Sequence, residues 1–372
     1  MANKKVIIAG CGFAGLTCAV KLSKIKGFDI ILFDKRTESQ FLPLLPDIVG
    51  RGLLPEHLKI NLVSLHKGNT RFVNRPVDMV DLTGKKVYSN REPFNYDFLV
   101  LCAGAENNFY GNDELKESAL RLSCVKDAAA IVEALDTSHF DAVTIIGGGY
   151  TGVELASSVK RHLDENDIYK NVVLIERAGT LVPGFSPWEQ GYIQNNLLAM
   201  GIELQLSTEI ASISPGRVVL KNSKIYYNAM VVWSVGVKAV EIEIIGPVKR
   251  SPQGRIEVDE YLRIGENAFC LGDMALVQTK KGVLRMGAQF AVAQGALCAR
   301  NIVNALSGKP VRKYRPLDLG YIVPMANDKG CGKIFGVRAH GLIAIFLHYC
   351  MCVYRSFSFA NKIGIIREIM LK

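Results

Sequence analysis

The sequence predicts an α/β fold in which one strand–glycine turn–helix–strand unit occurs twice, the second copy inserted within the first, with an amphipathic helical segment at the C-terminal end. Three observations predict it. Glycine turns at Gly10 to Gly15 and Gly147 to Gly152 each sit between a short apolar run and a helical stretch. An acidic residue closes the strand that follows each turn, Asp34 in one copy and Glu176 in the other. A further apolar strand at 268–271 resumes the first pattern after the second copy has ended, which makes insertion the simplest architecture. A chain of 372 residues has room for two domains of ordinary size.

Residues 5–9 form a continuous apolar run rich in Val and Ile and read as a buried strand. Residues 14–25 read as a helix, 29–33 as the next strand, and 98–101 as another buried strand ending in Cys102-Ala103-Gly104. The second copy has a strand at 142–146, a helix at 152–164 and a strand at 172–175, with a later apolar strand at 231–234. Gly272-Asp273 follows the strand at 268–271, and 287–306 reads as a long helix with few breakers. The boundaries that result are 1–110 and 256–325 for the first domain, 111–255 for the second, and 326–372 for a C-terminal segment.

Each glycine turn matches the G-x-G-x-x-G fingerprint of a Rossmann-like dinucleotide-binding domain in its required context, after a strand and at a helix start. Gly10 permits the tight turn, Gly12 leaves room for a diphosphate to approach the backbone, and Gly15 lets the helix pack closely on the strand. The helix start then offers unpaired N–H groups and the positive end of its dipole to the phosphates. Asp34, about twenty residues on, suits ribose hydroxyls. The second copy, Gly147-Gly148-Gly149-Tyr150-Thr151-Gly152 with Glu176, obeys the same physics. A carboxylate at Glu176 repels a 2′-phosphate and so favours NAD over NADP, although Arg177 stands beside it. Two fingerprints imply two nucleotides, and a flavin with a nicotinamide is the pair between which a hydride can pass. An aspartate at Asp273 suits the hydroxyls of a flavin side chain, and the dipole of the helix from Gly287 would stabilise negative charge on a flavin ring at its N-terminus.

Nine scattered cysteines show neither a disulfide framework nor a metal-ligand spacing, so a reducing compartment and no metal are expected. No charged-then-apolar leader precedes the first strand, and secretion is not expected. Charge is uneven. From Lys309 onward eleven Lys/Arg face three Asp/Glu, a net of +8, against +2 for everything before. That tail suits an anionic surface, nucleic acid or lipid; a solvated face that binds nothing is the alternative. Within it, residues 341–354 are apolar and aromatic but too short to span a bilayer comfortably, and residues 361–371 interleave apolar with charged positions. Both read as interfacial helices; a buried pair or a dimer interface competes.

These motifs resemble the two-dinucleotide-binding flavoproteins, and within them the sequence looks most like the type II NADH dehydrogenases, single-chain NADH:quinone oxidoreductases. The match rests on four segments: Gly147 to Leu155, Val232 to Ala239, Gly272-Asp273-Met274-Ala275 with Gly287-Ala288-Gln289-Phe290-Ala291, and the segment from Gly341 to Lys372. The resemblance implies FAD held by Gly10, Gly12, Phe13, Ala14, Gly15, Asp34, Lys35, Ala103, Gly104, Gly272, Asp273, Ala288 and Gln289. It implies NAD(H) as substrate at Gly147, Gly149, Tyr150, Thr151, Gly152, Glu176 and Gly236. It gives Glu154 a part in nicotinamide binding and proton transfer, and Gln289 a hydrogen bond to a quinone carbonyl. The family's next glutamine falls on Ala293 here, with Gln294 one place later, a turn of about 100° on a helix. Read from its position alone, Glu154 is either a proton-exchanging carboxyl in an apolar setting or a simple helix-start charge.

The function the resemblance implies is hydride transfer from NADH to FAD, then electron transfer to a quinone or other small acceptor without proton pumping. The expected setting is the cytoplasmic, inner face of the cell membrane, held peripherally, with a homodimer possible and no nucleic-acid partner. Sulfide:quinone oxidoreductase chemistry is the nearest rival. It needs a mid-chain cysteine, and none lies between Cys124 and Cys270; Cys331, Cys350 and Cys352 keep it open. A soluble NAD(P)H-dependent reductase with a protein acceptor would not need the apolar basic tail. A disulfide reductase would need a Cys-x4-Cys pair soon after the first fingerprint, where 38–54 has none. A scaffold retaining FAD would not need Glu154 with an intact second fingerprint.

Overall fold

The apolar run that opens the sequence becomes the middle of a six-stranded sheet. In this computed structural model, which describes residues 3–280 and 282–370, Lys4–Ala9 pairs in parallel with Phe28–Phe33 on one side and Phe98–Leu101 on the other. Thr70–Val73 extends one flank in parallel. On the other flank Ala268–Cys270 joins Phe98–Leu101 in parallel, and Arg263–Gly265 closes the edge antiparallel. Strands buried on both faces read as unbroken Val/Ile/Leu runs, which is the composition seen at 6–9 and 98–101. The helices Phe13–Leu22 and Ala288–Leu306 lie against each other so tightly that a Cβ at Gly295 would stand 2.2 Å from the Ala14 carbonyl oxygen. The first helix ends three residues earlier than the apolar pattern suggests. Gly27, at φ +91°, then turns the chain into the next strand. These elements belong to one unit, made of Met1–Ser39, Ile60–Glu106 and Val237–Asp318.

The second unit comprises Gln40–Lys59, Asn107–Gly236 and Leu319–Lys372. Its sheet repeats the first one's logic: Glu203–Gln205, Asn171–Ile175, Ala142–Ile146 and Ile225–Trp233 lie side by side in parallel. Ile225–Trp233 is much longer than the apolar core at 231–234, because its first half pairs antiparallel with Gly216–Leu220. Ile146, Val173, Ile175, Val218, Val231 and Trp233 fill one side of this sheet. The helix Tyr150–Glu165 packs against the short helix Leu45–Arg51, where a Cβ at Gly50 would lie 2.7 Å from Ser158 Cα.

The same unit carries a three-stranded antiparallel sheet, Gly320–Met325, Lys329–Ile334 and Val337–His340, followed by the helices Gly341–Arg355 and Phe359–Met370. Residues 371 and 372 of the C-terminal segment lie outside the described residues. Gly341–Arg355 buries Ala344, Ile345, His348, Tyr349 and Cys352, one face at helical spacing. The opposite face leaves Leu342, Ile343, Phe346 and Tyr354 more than half exposed. The last helix is fixed by Asn361, whose amide nitrogen donates to the carbonyls of His57 at 2.8 Å and Lys59 at 3.0 Å. No described helix is long and apolar enough to cross a membrane.

Candidate functional site

Two cradles with the same construction stand at the two fingerprint turns, one in each unit. Gly10 and Gly147 have φ of +107° and +109°, a backbone open to glycine and strained for other residues. A Cβ at Gly15 would fall 1.9 Å from the Gly10 carbonyl oxygen, and one at Gly152 would fall 1.8 Å from that of Gly147. Strand and helix therefore meet at the closest distance two backbones allow. Gly12 and Gly149 behave in the opposite way. Each is an N-cap in extended backbone without a side-chain cap, and a Cβ placed on either meets nothing within 4 Å. Open space thus lies over a helix start that no N-cap side chain covers, which is the environment that binds a diphosphate.

The two acidic residues have a task that their spacing did not disclose. Asp34 accepts from the Cys11 N–H at 2.8 Å with one oxygen and from the Arg36 N–H at 2.9 Å with the other. Glu176 accepts from the Gly148 N–H at 2.7 Å and the Ala178 N–H at 2.7 Å in the same way. Each carboxylate staples its glycine turn to the loop after the next strand. Each oxygen keeps a lone pair for a ribose hydroxyl.

In the first unit the other expected contacts gather around this turn. Gly10 abuts Cys102 and Ala103, with a built Cβ only 2.3 Å from the Cys102 carbonyl oxygen. Gly104 is open, and Phe13 and Ala14 begin the helix, whereas Lys35 is exposed. Gly272 lies beside Ala14 and Ala291, which brings Gly272-Asp273 up to the fingerprint helix. Burial raises the proton affinity of Asp273, opposed by the Gly287 N–H and by Arg255. Nothing in the local pattern singles out Arg255. It is buried, and its guanidinium donates to the carbonyls of Ala275 and Leu284. It is the cation that faces Asp273.

The Ala288–Leu306 helix sorts its two glutamines. Gln289 Nε2 donates to Asp318 Oδ1 at 3.1 Å, the carboxylate that also takes Arg285 at 2.8 Å. Gln294 is buried and accepts the Gly272 N–H at 2.6 Å. The one-place shift has therefore turned the second amide inward onto the Gly272-Asp273 turn. Ala293, on the expected face, lines a surface groove with Lys21, Leu297 and Arg300 instead.

In the second unit Tyr150 and Thr151 open the helix. The Tyr150 hydroxyl donates to the Ile322 carbonyl, and Thr151 is exposed. Gly236, at φ +72°, is covered by Tyr110, and its carbonyl accepts from the Asn108 N–H at 3.1 Å. Trp233 Nε1 donates to the Asn108 carbonyl at 3.0 Å, which ties the tryptophan segment to the same loop. Glu154 is no exposed helix-start charge. It is 7% exposed in the second turn, burial holds its carboxyl well above the usual carboxylate range, and no described side chain or N–H hydrogen-bonds it. None of the nine cysteines forms a disulfide, and burial pushes the Cys331 thiol up to about 12 and raises that of Cys352 well above its ordinary value. Neither is disposed to act as a thiolate near neutral pH.

Both cradles fit a dinucleotide on these observations: open space over an uncapped helix start, a turn held by a carboxylate, and in the first unit a half-buried Asp273 beside it. Comparison with known proteins agrees. A relative named type II NADH:quinone oxidoreductase, from Staphylococcus haemolyticus strain JCSC1435, is 26% identical over 379 residues, covering 93% of each chain. The structure of NDH2 from Plasmodium falciparum in complex with NADH superposes with a TM-score of 0.87 at 16% identity, covering 99% of this chain and 98% of that one. The sulfide:quinone oxidoreductase of Aquifex aeolicus superposes with a TM-score of 0.79 at 18% identity, over 99% and 94%. Likeness at those identities establishes the fold. The model of the pyridine nucleotide-disulphide oxidoreductases matches residues 4–295, more than three quarters of the sequence, and the chain belongs to that family.

Proposed function

We propose that the protein is an FAD-dependent NADH:quinone oxidoreductase of the type II kind. The observation that carries this reading is the pair of intact cradles, each with its open N-cap glycine, its close-packed third glycine and its stapling carboxylate. FAD, when bound, accepts a hydride from NADH and passes electrons on to a quinone. The chain's own residues bind and orient. Backbone N–H groups at the start of Phe13–Leu22 would hold the FAD diphosphate, and Asp34 its ribose. Gly272 and Asp273, fixed by Gln294 and faced by Arg255, would take the flavin side chain. The start of Ala288–Leu306 carries no acid in its first turn, so its dipole favours negative charge on a ring placed there.

The start of Tyr150–Glu165 would hold NADH, with Glu176 on the ribose. Burial, with the charge of Asp47, raises the proton affinity of the Glu154 carboxyl well above that of a free glutamate, as a proton-exchanging group requires. Gln289, anchored by Asp318, presents an amide for a quinone carbonyl. A quinone is favoured over sulfide chemistry because Cys331 and Cys352 are buried thiols. The exposed apolar face of Gly341–Arg355 continues in Phe359 and Ile363 and is flanked by Lys362 and Arg367. That combination supports peripheral docking on the anionic inner face of a cell membrane, with a homodimer through the same helices as the competing use.

The test is anaerobic. NADH should bleach the flavin near ~450 nm, a general flavin property, and a soluble quinone analogue should restore it. Protein that stays oxidised with both NADH and NADPH would end the hydride-transfer reading. Reduction by NADH that no quinone analogue reverses would end the quinone reading alone.

A further inference from the structure

Beside Glu154 lies a second buried carboxyl that the reaction above does not use. Asp47, on Leu45–Arg51, is 7% exposed. Its Oδ1 accepts the Tyr349 hydroxyl at 2.6 Å and lies 3.2 Å from Arg51 Nε. The Arg51 side chain is 10% exposed; it stacks over the Tyr349 ring at 5.5 Å and also donates to Asp328 Oδ1 at 2.8 Å. Glu154 has none of these partners, although the Asp47 charge acts on it through the helix packing described above.

The other groups around this pair can be named element by element. The helix of Glu154 adds Arg161, which donates to the Ala326 carbonyl at 2.7 Å and lies 3.7 Å from Asp328. Gly341–Arg355 adds His348, Cys352 and Arg355, with the Cys352 sulfur 3.6 Å from His348 Nε2. The strands Ala142–Ile146 and Asn171–Ile175 contribute no titratable side chain. Val125–Thr137, which also packs on Leu45–Arg51, carries Asp127, which accepts from Ser123, Asp136, which lies 2.7 Å from His162, and the exposed Lys126 and Glu133. Pro187–Ala199 contributes Tyr192, whose hydroxyl accepts the Gly341 N–H, and Glu189, which is committed to Ser186, Tyr321 and Lys333.

Burial thus raises the proton affinity of both carboxyls, and only Asp47 has an arginine and a phenol donor to oppose it. When two acids occupy environments this unequal, the one with a cation and a phenol donor ionises and the other keeps the proton. We propose that Asp47 is a positioning residue for Glu154: its carboxylate, fixed by Arg51 and by the Tyr349 hydroxyl, keeps the unpartnered Glu154 carboxyl protonated. It rests on the reading of Glu154 as the proton-holding group of the reaction. Because Tyr349 belongs to the helix Gly341–Arg355, the seating of that helix sets how tightly the proton is held. A fixed charge 302 residues away in sequence from the group that clamps it thereby reaches the candidate nicotinamide site.

The experiment is infrared titration of the flavin-loaded protein with a carbon-13 label on the glutamate carboxyls. The protonated-acid band lost in Glu154→Gln is the reporter, and it needs no turnover. A protein that failed to oxidise NADH would therefore still answer this question. In the parent protein the band should persist at pH 7. In Asp47→Asn its midpoint should fall by about one pH unit or more. In Tyr349→Phe it should fall by less, since Asp47 without its phenol donor takes up a proton more readily. Tyr349→Phe keeps its ring and carries the test alone if Asp47→Asn does not fold. An unmoved midpoint in a folded variant of either kind overturns the proposal, as does a neutral-pH glutamic acid band that survives Glu154→Gln.

Discussion

Gly149 and Gly152 lie three residues apart at one helix start, and alanine at the two positions should fail in opposite ways. At Gly152 the new Cβ would stand 1.8 Å from the Gly147 carbonyl oxygen, so strand and helix must part by roughly 1 Å. Overpacking of this kind costs about 1–3 kcal/mol or more, and the unfolding temperature should drop by several degrees. At Gly149 the backbone is extended (φ −73°, ψ −174°) and nothing lies within 4 Å. The protein should accept that methyl for about 1 kcal/mol or less, the difference between glycine and alanine as an N-cap. A dinucleotide should not accept it, because the methyl occupies the space over the N–H groups that meet the diphosphate. We expect the KM for NADH to rise at least about tenfold, equivalent to ~1.4 kcal/mol of lost binding. FAD content and unfolding temperature should stay near parental values. The assay is steady-state NADH oxidation at saturating quinone analogue, with thermal unfolding in parallel. A folded, flavin-loaded Gly149→Ala protein with the parental KM would refute the assignment of that cradle. An unshifted unfolding temperature in Gly152→Ala would refute the close-packing argument.

Other substitutions probe other links. Gln294→Leu leaves the Gly272 N–H without its acceptor, a loss of about 1–3 kcal/mol, and FAD should leach on dilution, as read by flavin fluorescence in the filtrate. His348 is buried, and burial, helped by the charge of Arg51, lowers its pKa to about 4. The unfolded chain therefore binds this proton first as pH falls, so the stability tied to neutral His348 is complete above about pH 6.5 and disappears on the way down to pH 4. Up to about 3 kcal/mol is at stake, and denaturant melts of His348→Leu should lose less stability over that window than the parent does. Serine at both Leu342 and Phe346 should cut co-sedimentation with anionic vesicles severalfold without changing NADH-driven flavin reduction. Retained vesicle binding would move the docking face elsewhere.

How much of this was legible in the sequence depends on whether a residue's meaning is local. A glycine at φ +107° or +109°, and an acid at the end of the next strand, carry their geometry in type and spacing, so Gly10, Gly147, Asp34 and Glu176 could be placed before any coordinates. The acids' second task could not be foreseen, because a carboxylate's choice of backbone N–H depends on how the loop closes. The glutamine shift was visible as a spacing, yet only packing shows that Gln294 turns inward to Gly272 while Ala293 faces outward.

The sequence by itself determined the two α/β dinucleotide units and their order, because strand, turn and helix signals fall within about thirty residues in each copy. It also determined that the C-terminal segment is amphipathic. Tertiary structure alone decided which face of that segment is buried, that Arg255 stands against Asp273, and that Arg51 and Tyr349 meet at Asp47. Burial and long-range contact set those outcomes. A lone Asp, Arg or Tyr has no local pattern to announce them, since the free energy of a buried charge belongs to neighbours hundreds of residues away along the chain.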